Sequence, residues 1–204
     1  MTREELADDL AYVRTLADEG RHAPLIGGGF LVLFGVLLAF SYFAQWALLT
    51  EAFGRAPAYA FAALWIIYGI IATFGSIAIG RRVVKLPGAS SIVNRVDRTV
   101  WRGASLGIGV VVIGTILRTP QDPLAPNAIM AAAFTLFGVA LGATAVIAGK
   151  TWLRWVSLLS FVVSVVLWLF LNEPWAYLLA AIASVVVLLG PGVVLMRQEP
   201  RATV

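Results

Sequence analysis

The chain has 204 residues, 60% of them hydrophobic and only 13% charged, with a net charge of +4 and no cysteine. Soluble domains run at roughly 45–50% apolar and about 25% charged, so a water-soluble globule could not hide this much apolar surface. The lack of cysteine excludes disulfides, thiolate metal sites and a cysteine nucleophile, and the excess of arginine over lysine, 13 to 2, fits a GC-rich bacterial genome.

The first element is acidic. MTREELADDL has no positive n-region ahead of a short apolar core, so it does not read as a cleavable signal, and the first span is expected to be retained. Residues 1–22 predict an amphipathic cytoplasmic helix. Thr2 and Glu5 have capping-box spacing, and Leu6, Leu10, Val13 and Ala17 recur on one helical face. Over residues 2–19, six acids against two arginines give −4. An anionic inner leaflet repels such a helix, so its apolar stripe should dock on protein: the chain's own loops, a second copy, or a separate partner. The single histidine, His22, follows at the start of the first span with no second ligand nearby in sequence.

Apolar runs then predict six transmembrane helices at about 24–48, 58–80, 103–118, 127–149, 153–171 and 175–196. They divide into three consecutive hairpins: 23–80, 103–149 and 150–197, with a short tail, 198–204. Pro57, Pro126 and Pro174 each precede a basic residue by nearly the same distance (Arg81, Lys150, Arg197), which suggests a hairpin repeat; ordinary proline and cation preferences at helix ends give the same pattern. The echo LFGV at 33–36 and 136–139 fits a different period.

Between hairpins one and two lies a basic loop, 81–102. Arg81, Arg82, Lys85, Arg95, Arg98 and Arg102 against Asp97 give it +5. Within it, SSIVNRVDRTVWRG predicts an interfacial helix capped by Ser90 or Ser91 and leading into the short third span. Ile92, Val93, Val96 and Val100 gather on one side, and Arg95, Arg98 and Arg102 on the other. The expected partners of those six cations are lipid headgroups. A lone basic stripe without an accompanying fold does not indicate nucleic acid. The acidic N-terminal helix is a further complement.

Basic residues settle the expected orientation. Thirteen of them fall on the side that holds both termini and two, Arg55 and Arg118, on the other, which places both termini in the cytoplasm of a bacterial inner membrane.

The spans carry little chemistry. No ionisable residue is expected at membrane depth, whereas transporters and pumps usually keep one there. Hydroxyls such as Ser157, Ser160 and Ser164, spaced along one face of span five, predict a packing seam. Gly103 with Gly107, Gly138 with Gly142, and Ala72, Ser76 and Gly80 predict close helix contacts. In span six, Gly190, Pro191 and Gly192 predict a kink, because proline removes a helix hydrogen bond. With no acid and base pair, no HExxH and no phosphate loop, neither enzyme nor cofactor is expected. The sequence therefore favours a non-enzymatic scaffold, accessory subunit or regulator that meets a second protein or another copy of itself at the cytoplasmic face. The alternative is a small transporter or substrate-binding subunit for an apolar, lipid-like ligand.

Overall fold

A computed structural model of the chain describes residues 25–118 and 126–199; the expected N-terminal helix with Leu6, Leu10, Val13 and Ala17, His22, most of the RTPQDPLAP loop and the last five residues lie outside the described residues. Among the described residues all regular structure is helical. α1 is Gly28–Leu49, α2 Tyr59–Val83, α3 Ile92–Arg118, α4 Pro126–Ile147, α5 Thr151–Leu169 and α6 Trp175–Ser184. A π-helical segment, Val185–Leu189, joins α6 to α7, Gly190–Gln198. Each of α1 to α5, and α6 through α7 taken as one, is long and apolar enough to cross a membrane.

All six apolar runs are thus helices, with ends shifted by a few residues. The third differs most. Rather than an interfacial helix followed by a short span, residues 92–118 form one unbroken helix of 27 residues. At 1.5 Å per residue it is about 40 Å long, more than a hydrocarbon core of about 30 Å requires, so its first turns have room to project from the apolar layer. Ser91 caps it: its Oγ accepts the Asn94 backbone N–H at 3.3 Å.

α1 packs on α2 and on the whole of the last span, α3 packs on α4, and α4 packs most extensively on α5. α5 touches the last span only sparingly, and α2 and α3 do not pack on each other. The helices follow one another round a ring in chain order, closed where the last span meets α1 and open between α2 and α3. Two of the three expected hairpins are packed pairs; in the third, α5 gives its face to α4, and α6 and α7 give theirs to α1.

Small and hydroxylated residues explain those choices. A methyl group added at Gly35 would lie 2.5 Å from the Leu189 backbone nitrogen, and one at Gly192 would lie 2.7 Å from that of Val32, so α1 and the last span touch backbone to backbone. Such contact gives dispersion energy that lipid cannot match. Across α4 and α5, Ser157, Ser160 and Ser164 donate in turn to the carbonyl oxygens of Gly138, Phe134 and Ala131, each at 2.7 Å. The serine face read as a seam in the sequence is one. Of the small-residue pairs, Gly107, Gly138 and Gly142 do meet neighbouring side chains, while Gly103 faces open space.

The turn after α4 ends in a Schellman pattern: Lys150 N–H donates to Ala145 O at 3.0 Å and Gly149 N–H to Val146 O at 3.3 Å. Gly149 has φ +63°, a conformation glycine adopts without steric cost. At the expected kink, the helical ladder shifts register ahead of Pro191, and the Gly190 N–H reaches back five residues to Val185 O. Proline, lacking an N–H, leaves this place without its usual bond, which is where π segments are tolerated.

The core lies where α4, α5 and α6 meet, with Met130, Phe134, Leu141, Leu153, Leu167 and Tyr177 fully buried. α2 and α3 instead leave half of their apolar residues exposed, among them Ile66, Ile70, Phe74, Leu106, Val110 and Ile113.

Candidate functional site

One end of the bundle gathers most of the charged side chains among the described residues. The stretch 88–101 builds it. Asn94, Asp97, Trp101 and Ala104 fall at i, i+3, i+7 and i+10, so they share the face of α3 that turns inward; Asn94, Asp97 and Ala104 are buried.

Asn94 ties three segments together. Its Oδ1 accepts the Ile26 backbone N–H at 2.9 Å, and its Nδ2 donates to Gly88 O at 3.0 Å and Ser91 Oγ at 3.1 Å. The chain ahead of α1 is thereby fastened to the first turn of α3. One turn on, Asp97 Oδ1 accepts from Thr144 Oγ1 of α4 at 2.5 Å, and the same hydroxyl accepts from Trp101 Nε1 at 3.2 Å. Thr144 thus bridges an indole donor and a carboxylate acceptor. Gly27 lies beside the other oxygen: a methyl group added there would stand 3.6 Å from Asp97 Oδ2.

Arg98 closes the outer rim. Its Nε donates to Asn94 O at 3.1 Å and its terminal nitrogen to Ala89 O at 2.8 Å, so this cation is engaged with backbone and half-buried rather than free for headgroups. Arg81, Arg82, Lys85, Arg95 and Arg102 are exposed, as a headgroup-facing set would be.

The far end of the chain returns to the same place. Glu199 Oε1 accepts the Gly28 N–H at 3.1 Å, so a carboxylate from just beyond α7 caps the N-terminus of α1, where helix donors are unsatisfied and the dipole favours an anion. Burial nonetheless pushes the Glu199 carboxyl above its ordinary value, only partly offset by that bond and by Arg82. Lys150 Nζ donates to Gln198 Oε1 at 2.6 Å nearby. Residues 26–28, 88–101, 144–150 and 198–199 therefore form one polar clasp.

The outer face of the same turns of α3 is different. Ile92, Arg95, Val96, Thr99 and Val100 line a shallow concavity of about 370 Å³, with Ile92 73% and Val96 41% exposed. The apolar arc read from the sequence is thus split. Val93 turns inward, Ile92 and Val96 outward.

A second polar group lies within the spans. Trp65 Nε1 donates to Gln45 Oε1 at 3.1 Å, and Trp65 stacks edge-on with Tyr42 and Tyr68 at centroid distances of 5.8 and 5.5 Å; Tyr42 also meets Tyr177 at 6.3 Å.

Sequence reasoning treated Asp97 only as one negative charge in a basic loop and expected no carboxylate inside the bundle. The structure buries it. The signal was on the helical wheel, where Asp97 falls between Val93 and Trp101, away from the arginines, and Asn94 falls next to Trp101. Gln45 and Glu199 were passed over too, and neither sits in a pattern that marks it. Among the described residues no group of three or more His, Cys, Asp or Glu side chains comes together. Comparison of the chain with protein-family models, with curated proteins and with solved structures gives no match.

Proposed function

We propose that the chain is a multi-pass membrane protein that works by contact, as a scaffold, accessory subunit or regulator, through the base-rich end of the bundle, which we place in the cytoplasm. The observation that carries this reading is the division of labour on α3. Its inward polar groups are closed on partners within the fold, while its outward face, at the same level, presents apolar side chains, cations and a concavity. The interior supports the same reading, because Ser157, Ser160 and Ser164 donate to carbonyls of a neighbouring helix rather than lining a path. Positive charge concentrated at one end supports the cytoplasmic placement.

A second reading is favoured by one observation. The aromatic and amide group of Tyr42, Gln45, Trp65, Tyr68 and Tyr177, beside a ring left open between α2 and α3, suits a small transporter or binding subunit for an apolar, lipid-like ligand. Native mass spectrometry of protein released gently from its own membranes separates the two. A retained second polypeptide supports the contact reading, a retained small molecule the ligand reading, and a protomer with neither counts against both.

A further inference from the structure

We propose that the outward face of α3 holds one phospholipid with an anionic headgroup. Its phosphate sits on Arg95 and Arg102, its glycerol region in the concavity lined by Ile92, Val96, Thr99 and Val100, and an acyl chain runs past Gly103. This proposal stands beside the contact reading rather than on it, since a bound lipid is read on the purified chain with no second polypeptide present.

The length of α3 sets the depth of this site. The helix has 27 residues, about 40 Å, which matches a bilayer with its headgroup layers rather than the hydrocarbon alone. Counted back from Arg118 at the opposite boundary, about 30 Å of hydrocarbon takes about 20 residues and sets the near boundary close to Arg98. The concavity of about 370 Å³ between Ile92 and Val100 therefore lies at headgroup level, and Gly103 lies just inside the acyl layer. Within the chain this face is turned to lipid, because α4 packs on the inward side of α3 and α2 does not pack on it.

Side-chain chemistry then selects the headgroup. Arg95 and Arg102 are exposed and seven positions apart, so they follow one edge of the concavity, about 10 Å from each other along the axis. Arg102 lies deeper, and a long cationic side chain at that depth extends toward the interface, which brings both guanidinium groups to the level of phosphate. A guanidinium offers a planar fork of donors that fits phosphate oxygens. Arg98 takes no part, being bonded to the Asn94 and Ala89 carbonyls. The rest of the lining favours a lipid over a free phosphate ion. Ile92, Val96 and Val100 are apolar, and Val96, Gly103, Val110 and Leu117 recur every seven positions along one exposed strip. A methyl group added at Gly103 would meet nothing within 4 Å, so the strip is indented where a chain leaving the concavity would enter the membrane.

The test is native mass spectrometry of the full chain in detergent with equal amounts of phosphatidylglycerol and phosphatidylcholine of distinguishable mass. The wild-type chain is expected to keep one phosphatidylglycerol with a preference on the order of tenfold or more, since each arginine at an anionic headgroup is worth about fivefold. Arg95→Gln with Arg102→Gln is expected to bring the ratio to about one. Arg154→Gln with Arg197→Gln removes the same charge from exposed positions at the same end, on α5 and α7, and is expected to keep the preference. Gly103→Phe fills the indentation and is expected to lower retention of both lipids severalfold. All these positions are exposed, and replacing a glycine within a helix raises helix preference, so each variant is expected to fold, which its unfolding midpoint checks. No preference in wild type, a preference kept without Arg95 and Arg102, an equal loss without Arg154 and Arg197, or undiminished retention in Gly103→Phe would each overturn the proposal. So would release of the lipid by excess inorganic phosphate, which would assign the two arginines to a free anion.

Discussion

Thr144 Oγ1 donates to Asp97 Oδ1 across 2.5 Å, and so fastens α4 to α3 through residues 47 positions apart in the chain. Removing the hydroxyl by Thr144→Val leaves a buried carboxylate and the Trp101 indole short of a partner, at a cost of about 1–3 kcal/mol. Asp97→Asn keeps an acceptor for Thr144 and is expected to cost less. Reversible unfolding in mixed detergent micelles measures both; equal losses would show that the carboxylate's partner does not matter.

Glycine substitutions are expected to differ in sign according to what each glycine faces. Gly35→Ala places a methyl 2.5 Å from the Leu189 backbone nitrogen, and overpacking of this kind costs about 1–3 kcal/mol. Gly103→Ala and Gly69→Ala meet nothing within 4 Å and are expected to be neutral or to stabilise by up to about 1 kcal/mol, the helix preference for alanine. The same unfolding assay ranks the three.

The serine seam is expected to be weak residue by residue. Interhelical hydrogen bonds in membrane bundles average about 0.6 kcal/mol, so Ser157→Ala, Ser160→Ala and Ser164→Ala together should cost roughly 2 kcal/mol and leave the fold intact. Collapse of the triple variant would mean that the seam, rather than the surrounding apolar core, holds α4 on α5.

Glu199 gives the pH dependence. Its carboxyl is raised by burial above 4.5, so the folded state binds this proton more tightly than the unfolded one. The stabilising contribution is fully present below the unfolded value and is lost as pH rises through the folded value. Glu199→Gln keeps an acceptor for the Gly28 N–H without the buried charge. It is expected to match wild type near about pH 4 and to be the more stable of the two near about pH 7. A gap that opens on acidification instead would mean that the anion at the α1 N-terminus outweighs its desolvation.

What could be read in the sequence was what depends on one segment at a time. The six spans follow from run length, and the serine seam from the spacing of 157, 160 and 164 on one helix. The clasp depends on which helices meet. Nothing near Asp97 in sequence points to Thr144, and nothing near Gly28 or Gly35 points to Gly192 and Leu189, more than 150 positions away. Gly28, within the GGG at 27–29, and Gly192, within the GPG at 190–192, form the two sides of one helix crossing, and no single-segment pattern shows that.

The central claim is that the base-rich end, rather than the interior, is where the protein works. Its most direct test is to compare the polypeptides that co-purify, from native membranes, with two variants inserted at wild-type levels. Charge reversal at Arg81, Arg95 and Arg102 to Glu is expected to strip the associated set, while the triple alanine variant at Ser157, Ser160 and Ser164 is expected to retain it. An associated set kept by the charge reversal and lost with the interior serines would contradict the account.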